Sequence, residues 1–180
     1  MQVKTLVIAI ICISLFVLFL ITKNSFKKKS ISIRVNKTLS LVVESCKNGI
    51  INFSCSCYGS SKFPIIKVCN LTKGLYLAIL IYDLNTSPRF YHLFMYDIKI
   101  NSSCMILRST TGRLGINSGS IVGYYPFCPP RGSKHYYMIE VFEYKNPIKK
   151  RILDRDYPSV LSDSMVIASG RRVCVFGVNL

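Results

Sequence analysis

The chain of 180 residues contains two histidines, His92 and His135. Imidazoles can move protons, ligate a metal or donate hydrogen bonds to an anion. Metal ligation calls for further ligands at characteristic spacing. Cys55-x-Cys57 has neither the CxxC spacing nor a partnering set of histidines, so it is read as structural thiols or disulfides. Cys128 is a candidate nucleophile on residue type alone. Asp83 closes an apolar run, where it is either a turn former or a site carboxylate. His92 opens an apolar run and, taken singly, reads as a core histidine. Glu140 and Glu143 are too few and too local for a paired-carboxylate site. Gly112-x-x-Gly115 has no Lys-Ser/Thr after it and is not a phosphate loop. No zinc-finger spacing or basic heptad pattern points to nucleic acid.

The elements that must position these groups are mostly strands. Apolar runs of about four to eight residues alternate with turn chemistry, the pattern of a β-rich domain. Residues 31–35 and 39–43 alternate with period two. Residues 75–82, LYLAILIY, form the most continuous run and predict a buried central strand. Residues 83–87 break it with turn formers, and a strand resumes over 91–98. Residues 136–144 are rich in aromatic and β-branched types, and 173–178 close the chain as a last strand. One amphipathic helix is expected over 157–168, with Pro158 in its first turn. There is no internal repeat and no low-complexity tract.

The first 21 residues predict something different. Residues 5–21 read TLVIAIICISLFVLFLI, without a charge, proline or glycine. At a helical rise they span roughly 26 Å, near the short limit for crossing a bilayer. A signal peptide would have a shorter apolar run and small residues before its cleavage site, and a soluble core helix would show a polar face. The expectation is an uncleaved, single-pass anchor over 1–21, a basic stalk over 22–30 and one domain over 31–180. The formal charge is +16. Lys23, Lys27, Lys28 and Lys29 follow the apolar run, where each is worth about 1 kcal/mol against an anionic lipid surface. Those lysines favour a cytosolic domain by the positive-inside rule. Five sequons, at Asn36, Asn52, Asn70, Asn85 and Asn101, and a cysteine-rich domain favour a lumenal, extracellular or virion-surface one. A large DNA virus that makes its own disulfides would satisfy both signals.

Three segments in order carry a resemblance. The first is Asn48-Gly49 followed by NFSCSCYGSSKFPI, the second LAILIYDLNTSPRFYHLFMYDI, the third GYYPFCPPRGSKHYYMIEVFEY. Together they resemble the phosphatidylethanolamine-binding protein family, in particular its bacterial and archaeal branch. The match runs from about Ser45 to Gly177, and both histidines fall on the family's two pocket positions. The resemblance implies an antiparallel β-sandwich with few short helices and a small anion-accepting pocket at one end. It implies a pocket drawn from Asp83, His92, His135, Tyr124 and the Cys128-Pro129-Pro130 loop, with no cofactor and no metal. The family uses that loop structurally, which argues against Cys128 as a nucleophile. Its geometry also implies a disulfide from the Cys55/Cys57 turn to another loop, with Cys128 the first partner to consider.

Departures from the pattern bear on function. The family's Asp-Pro-Asp-x-Pro turn is here Asp83-Leu84-Asn85-Thr86-Ser87-Pro88, with one carboxylate and the first proline gone and a residue gained. Tyr136 replaces the arginine of His-Arg-Tyr, and Pro126-Phe127 replaces Gly-Pro. The sequence is therefore read as a membrane-anchored binding domain, not an enzyme, accepting a phospholipid headgroup or phosphate-like anion. The alternative is a protein-interaction module, an inhibitor or a surface-complex component, whose pocket is vestigial.

Overall fold

Alternation of apolar and polar residues is lost between Leu75 and Tyr82, and burial on both sides is the reason. The computed structural model describes residue 35 and residues 37–148, 157–161 and 166–178. The described strands, in chain order, are β1 (Lys37–Thr38), β2 (Ser40–Val43), β3 (Cys46–Lys47), β4 (Ile50–Ile51), β5 (Ile66–Cys69), β6 (Tyr76–Asp83), β7 (Tyr91–Lys99), β8 (Cys104–Leu107), β9 (Arg113–Leu114), β10 (Lys134–Tyr144) and β11 (Val166–Gly177). A 3-10 turn covers Phe53–Cys55, and α1 (Tyr157–Val160) is one turn of helix.

Eight strands form the main sheet, in the order β3-β4-β11-β10-β6-β7-β9 with β1 paired to β11. Three more, β2-β5-β8, form the second. Pairing is antiparallel except at β11, which β1 and β4 join in parallel. The inner layer between the sheets holds Ile66, Val68 and Leu107 from one side and Leu77, Ile79, Ile81, Leu93 and Val141 from the other. The outer face of β6 carries Ala78, Leu80 and Tyr82 into a second cluster, with Phe94, Tyr96 and Phe142, that Tyr157, Val160 and Leu161 help to cover. A strand wetted on neither face gains nothing from polar residues at alternate positions, so its sequence is a continuous apolar run.

The expected helix over 157–168 is cut short. It ends after Val160, and Val166–Ser169 already belong to β11. The competing force is the ladder: β11 pairs with β10 from Tyr144↔Val166 to Lys134↔Gly177, far longer than the strand expected over 173–178. Gly170-Arg171-Arg172 hid the earlier half by interrupting the apolar pattern. The glycine is needed there, because a Cβ at Gly170 would stand 2.7 Å from the Leu39 carbonyl oxygen. The other strand expectations agree to within two residues, save 31–35, most of which lies outside the described residues. So do the anchor over 5–21 and the stalk over 22–30. Among the described residues no helix is long and apolar enough to cross a membrane.

Candidate functional site

Asp83 ends β6 where the chain turns away from the sheet. Its Oδ1 accepts from the Asn85 backbone N–H at 2.7 Å, the short loop that Asp side chains favour. Its Oδ2 lies 2.6 Å from Nδ1 of His135, the second residue of β10. The β6–β10 ladder sets this meeting, since Tyr137 is the direct partner of Asp83 and His135 lies two residues away on the same face. Both side chains are largely buried, at 6% and 17% exposure.

His92 stands at the start of β7 and is 3% exposed. Its Nδ1 lies 3.0 Å from the Tyr125 carbonyl oxygen, and a carbonyl can only accept, so Nδ1 carries the hydrogen. The ring is enclosed by Phe90, Phe127 and Tyr137, with centroids 4.9, 5.5 and 5.2 Å away. Burial among these rings pulls its pKa down from 6.5 to about 4, outweighing the Tyr125 carbonyl and the nearby Asp83 carboxylate. His92 is thus neutral at physiological pH.

Tyr137 lies between the two imidazoles, its ring 5.2 Å from His92 and 6.4 Å from His135. It is fully buried, and its hydroxyl has no hydrogen-bond partner among the described residues. Burial, then the charge of Asp83, then Tyr58, push its pKa up, so the group stays a neutral phenol. An orphaned buried hydroxyl costs about 1–3 kcal/mol, and beside Asp83 and two histidines it points to a ligand-directed role. The sequence analysis missed this residue. The signal was present, because strand alternation puts Tyr137 on the face of His135.

The 124–130 loop forms the rim, and its parts do different work. Tyr124 donates its hydroxyl to the Cys55 carbonyl at 2.6 Å, so it braces the loop. Cys128 is bonded to Cys57, within the pairing the resemblance implied, while Cys55 stays a buried free thiol. Ser56 and Phe127 form a parallel bridge beside that disulfide. Pro129 is buried and its carbonyl accepts from the Tyr58 hydroxyl at 2.7 Å. Pro130 is exposed and its carbonyl accepts from Ser133. Arg131 lies over the Tyr58 ring, with its guanidinium carbon 5.2 Å from the centroid. Of the residues expected at the site, Asp83 and His135 touch, His92 joins them across Tyr137, and Tyr124, Cys128 and the prolines hold the wall.

Two further disulfides, Cys46–Cys174 and Cys69–Cys104, tie the strands away from the rim. Among the described residues no cluster of three His, Cys, Asp or Glu could hold a metal ion. An open groove of about 360 Å3 lies on the second sheet, between Glu44, Phe63 and Arg108. It holds neither histidine nor Asp83, so the convergent chemistry, not this groove, marks the site.

A sequence model of the phosphatidylethanolamine-binding protein family matches residues 44–165, which include every residue just described at the site. The chain belongs to the phosphatidylethanolamine-binding protein family. Two solved structures of the family share its fold. The protein CT736 of Chlamydia trachomatis, described as a homologue of the phosphatidylethanolamine-binding protein, superposes with a TM-score of 0.67 at 17% identity, covering 78% of this chain and 97% of that one. YbcL of E. coli, described as a member of the mammalian family, gives 0.66 at 18%, covering 78% and 98%. No curated protein is similar enough in sequence to match. Among the described residues three disulfides form, one of them the expected link from the Cys55/Cys57 turn to Cys128.

Proposed function

We propose that this family member is a membrane-anchored binding domain that accepts a phosphorylated headgroup or similar small anion. The observation that carries the reading is the buried Tyr137 hydroxyl, without a partner among the described residues, beside the Asp83–His135 pair. A phosphoryl oxygen would satisfy that hydroxyl, and the imidazolium form of His135 would offer a charge-assisted bond from Nε2. Arg131 on the rim favours the approach of any anion. The family's name supports the ligand class, since it refers to a phosphorylated lipid headgroup. Isothermal titration of the full chain in non-ionic detergent with O-phosphorylethanolamine tests it. Binding that weakens about 10- to 100-fold in His135→Ala supports the reading, as expected for loss of a hydrogen bond to a charged group. Indifference to that substitution, or no binding, refutes it.

A second reading rests on a different surface. Lys47, Ile50, Val175 and Tyr136 are successive cross-strand neighbours on β3, β4, β11 and β10, so they share one face. Ile50 and Tyr136 are 61% and 50% exposed, and Val173, next along β11, is 44% exposed. Exposed aromatic and aliphatic residues edged by lysine and arginine suit a protein partner, the role of an inhibitor or complex component. Affinity capture with Tyr136→Asp beside wild type separates the readings. A partner lost in that variant and kept in His135→Ala favours the interaction module.

A further inference from the structure

Where β6 stops and β7 begins, the sandwich ends in loops that show apolar side chains to solvent. The 117–123 loop is rigidly built around the buried Asn117. Its Oδ1 accepts from the N–H groups of Gly119 and Ile121 at 2.9 and 3.2 Å, and its Nδ2 donates to the Gly123 carbonyl at 3.0 Å. The Ser118 N–H donates to the Tyr91 carbonyl of β7. Gly119 lies against the Tyr125 ring of the rim, where a Cβ would stand 2.5 Å away. This framework holds Ile121 and Val122 out at 52% and 50% exposure, one residue ahead of the 124–130 rim. Single exposed apolar residues need no explanation, but two adjacent ones held out by a fixed loop beside a site do.

Neighbouring loops repeat the pattern. Leu84, which follows the site carboxylate Asp83, is 37% exposed, and Phe53, on the turn that Cys57–Cys128 ties to the rim, is 54% exposed. Loops of this end also carry two exposed cations held in place by aromatic rings, Arg89 over Tyr82 at 4.6 Å and Arg131 over Tyr58 at 5.2 Å. Asp83 is buried and engaged by Asn85 and His135, so its charge is turned inward. We infer that these loop tips dock the site end of the domain on an anionic phospholipid bilayer. Ile121, Val122, Leu84 and Phe53 enter the boundary between headgroups and acyl chains, and Arg89 and Arg131 meet lipid phosphates. A protein partner calls for a continuous apolar core. Here the apolar residues are dispersed over separate loops with cations among them, which a fluid interface accommodates. On the reading of the site as a headgroup pocket, the docked domain meets its ligand where headgroups lie. The docking itself does not depend on that reading.

The chain has no tryptophan, so one placed at a loop tip is a unique reporter. Full chain carrying Ile121→Trp, with Leu84→Trp as a second reporter, is reconstituted in phosphatidylcholine vesicles with brominated acyl chains, with and without phosphatidylserine. Val42→Trp, on β2 of the second sheet at a position 47% exposed, is the control. With phosphatidylserine present, emission from both reporters should shift to the blue and be quenched by bromine, while the control stays unquenched. Arg89→Gln and Arg131→Gln should each lower the ratio of docked to undocked chains about fivefold, the factor for one basic residue near an anionic surface. His135→Ala should leave the quenching unchanged. Quenching at the tips no stronger than in the control overturns the docking and leaves these tips to a protein partner or a second copy. Quenching that disappears in His135→Ala overturns it too, because the contact then runs through the pocket. Quenching intact without any binding of O-phosphorylethanolamine supports the docking and overturns only the pocket reading.

Discussion

His92 and Tyr137 pay opposite debts to burial, and each yields a measurable consequence. The unfolded imidazole titrates near 6.5, whereas in the fold it stays neutral down to about 4. Between those values the unfolded state binds more protons, so stability rises with pH. His92 should cost the fold about 3 kcal/mol as pH falls through that window, with its full contribution present above it. Urea unfolding at about pH 7 and about pH 4.5 should show a steeper loss in wild type than in His92→Phe, which has nothing to titrate. Tyr137→Phe removes a hydroxyl that has no partner among the described residues. Thermal stability should hold or rise by up to about 1 kcal/mol, while anion binding falls about tenfold or more. A drop in melting temperature with binding intact would show a structural hydroxyl instead.

At the scale of elements, two tethers hold strands that propensity alone would not. The Cys57–Cys128 bond closes a separation of 71 residues and fastens the 124–130 rim to the turn after the Phe53–Cys55 3-10 segment. A chain-entropy estimate for such a loop is about 4 kcal/mol. Cys57→Ser with Cys128→Ser should lower unfolding free energy by that order, and non-reducing peptide mapping of the wild type should recover the linked pair. The second tether is Glu143 on β10, fully buried. Its Oε1 accepts from the Thr72 N–H at 2.9 Å and its Oε2 meets Lys37 Nζ of β1 at 3.0 Å. Lys37 is partly exposed, which screens its share of the pair. Glu143→Ala should still cost about 1–2 kcal/mol, because the Thr72 N–H and Lys37 both lose their acceptor. Chemical denaturation measures it.

For the whole molecule, the proposed anchor over 5–21 has a direct test. Full-length protein should stay with the membrane pellet in alkaline carbonate, and release into the supernatant would remove the anchor from the proposal. The lysines at 23 and 27–29 should add a salt-sensitive component to membrane association, leaving ligand affinity at the pocket unchanged. The charge of +16 acts at this scale, steering anions and anionic surfaces without shaping the fold.

Much of the architecture was legible in residue order. The strand runs at 75–82, 91–98 and 136–144 follow from β-propensity and burial, which are local and periodic. The three family segments located Asp83, His92 and His135. What lay beyond reach has a common physical cause, since it depends on partners distant in the chain. The period-breaking Gly170-Arg171-Arg172 belongs to a strand only because β10 offers it a ladder. Tyr124 resembles a ligand contact until the Cys55 carbonyl takes its hydrogen, and Tyr137 resembles a core tyrosine until its hydroxyl is left beside Asp83. Residue type and spacing determined that this chain is a β-rich member of its family with two histidines at one site. Tertiary structure alone decided that His92 stays neutral, because desolvation and the direction of a hydrogen bond depend on what surrounds a ring and not on its neighbours in sequence.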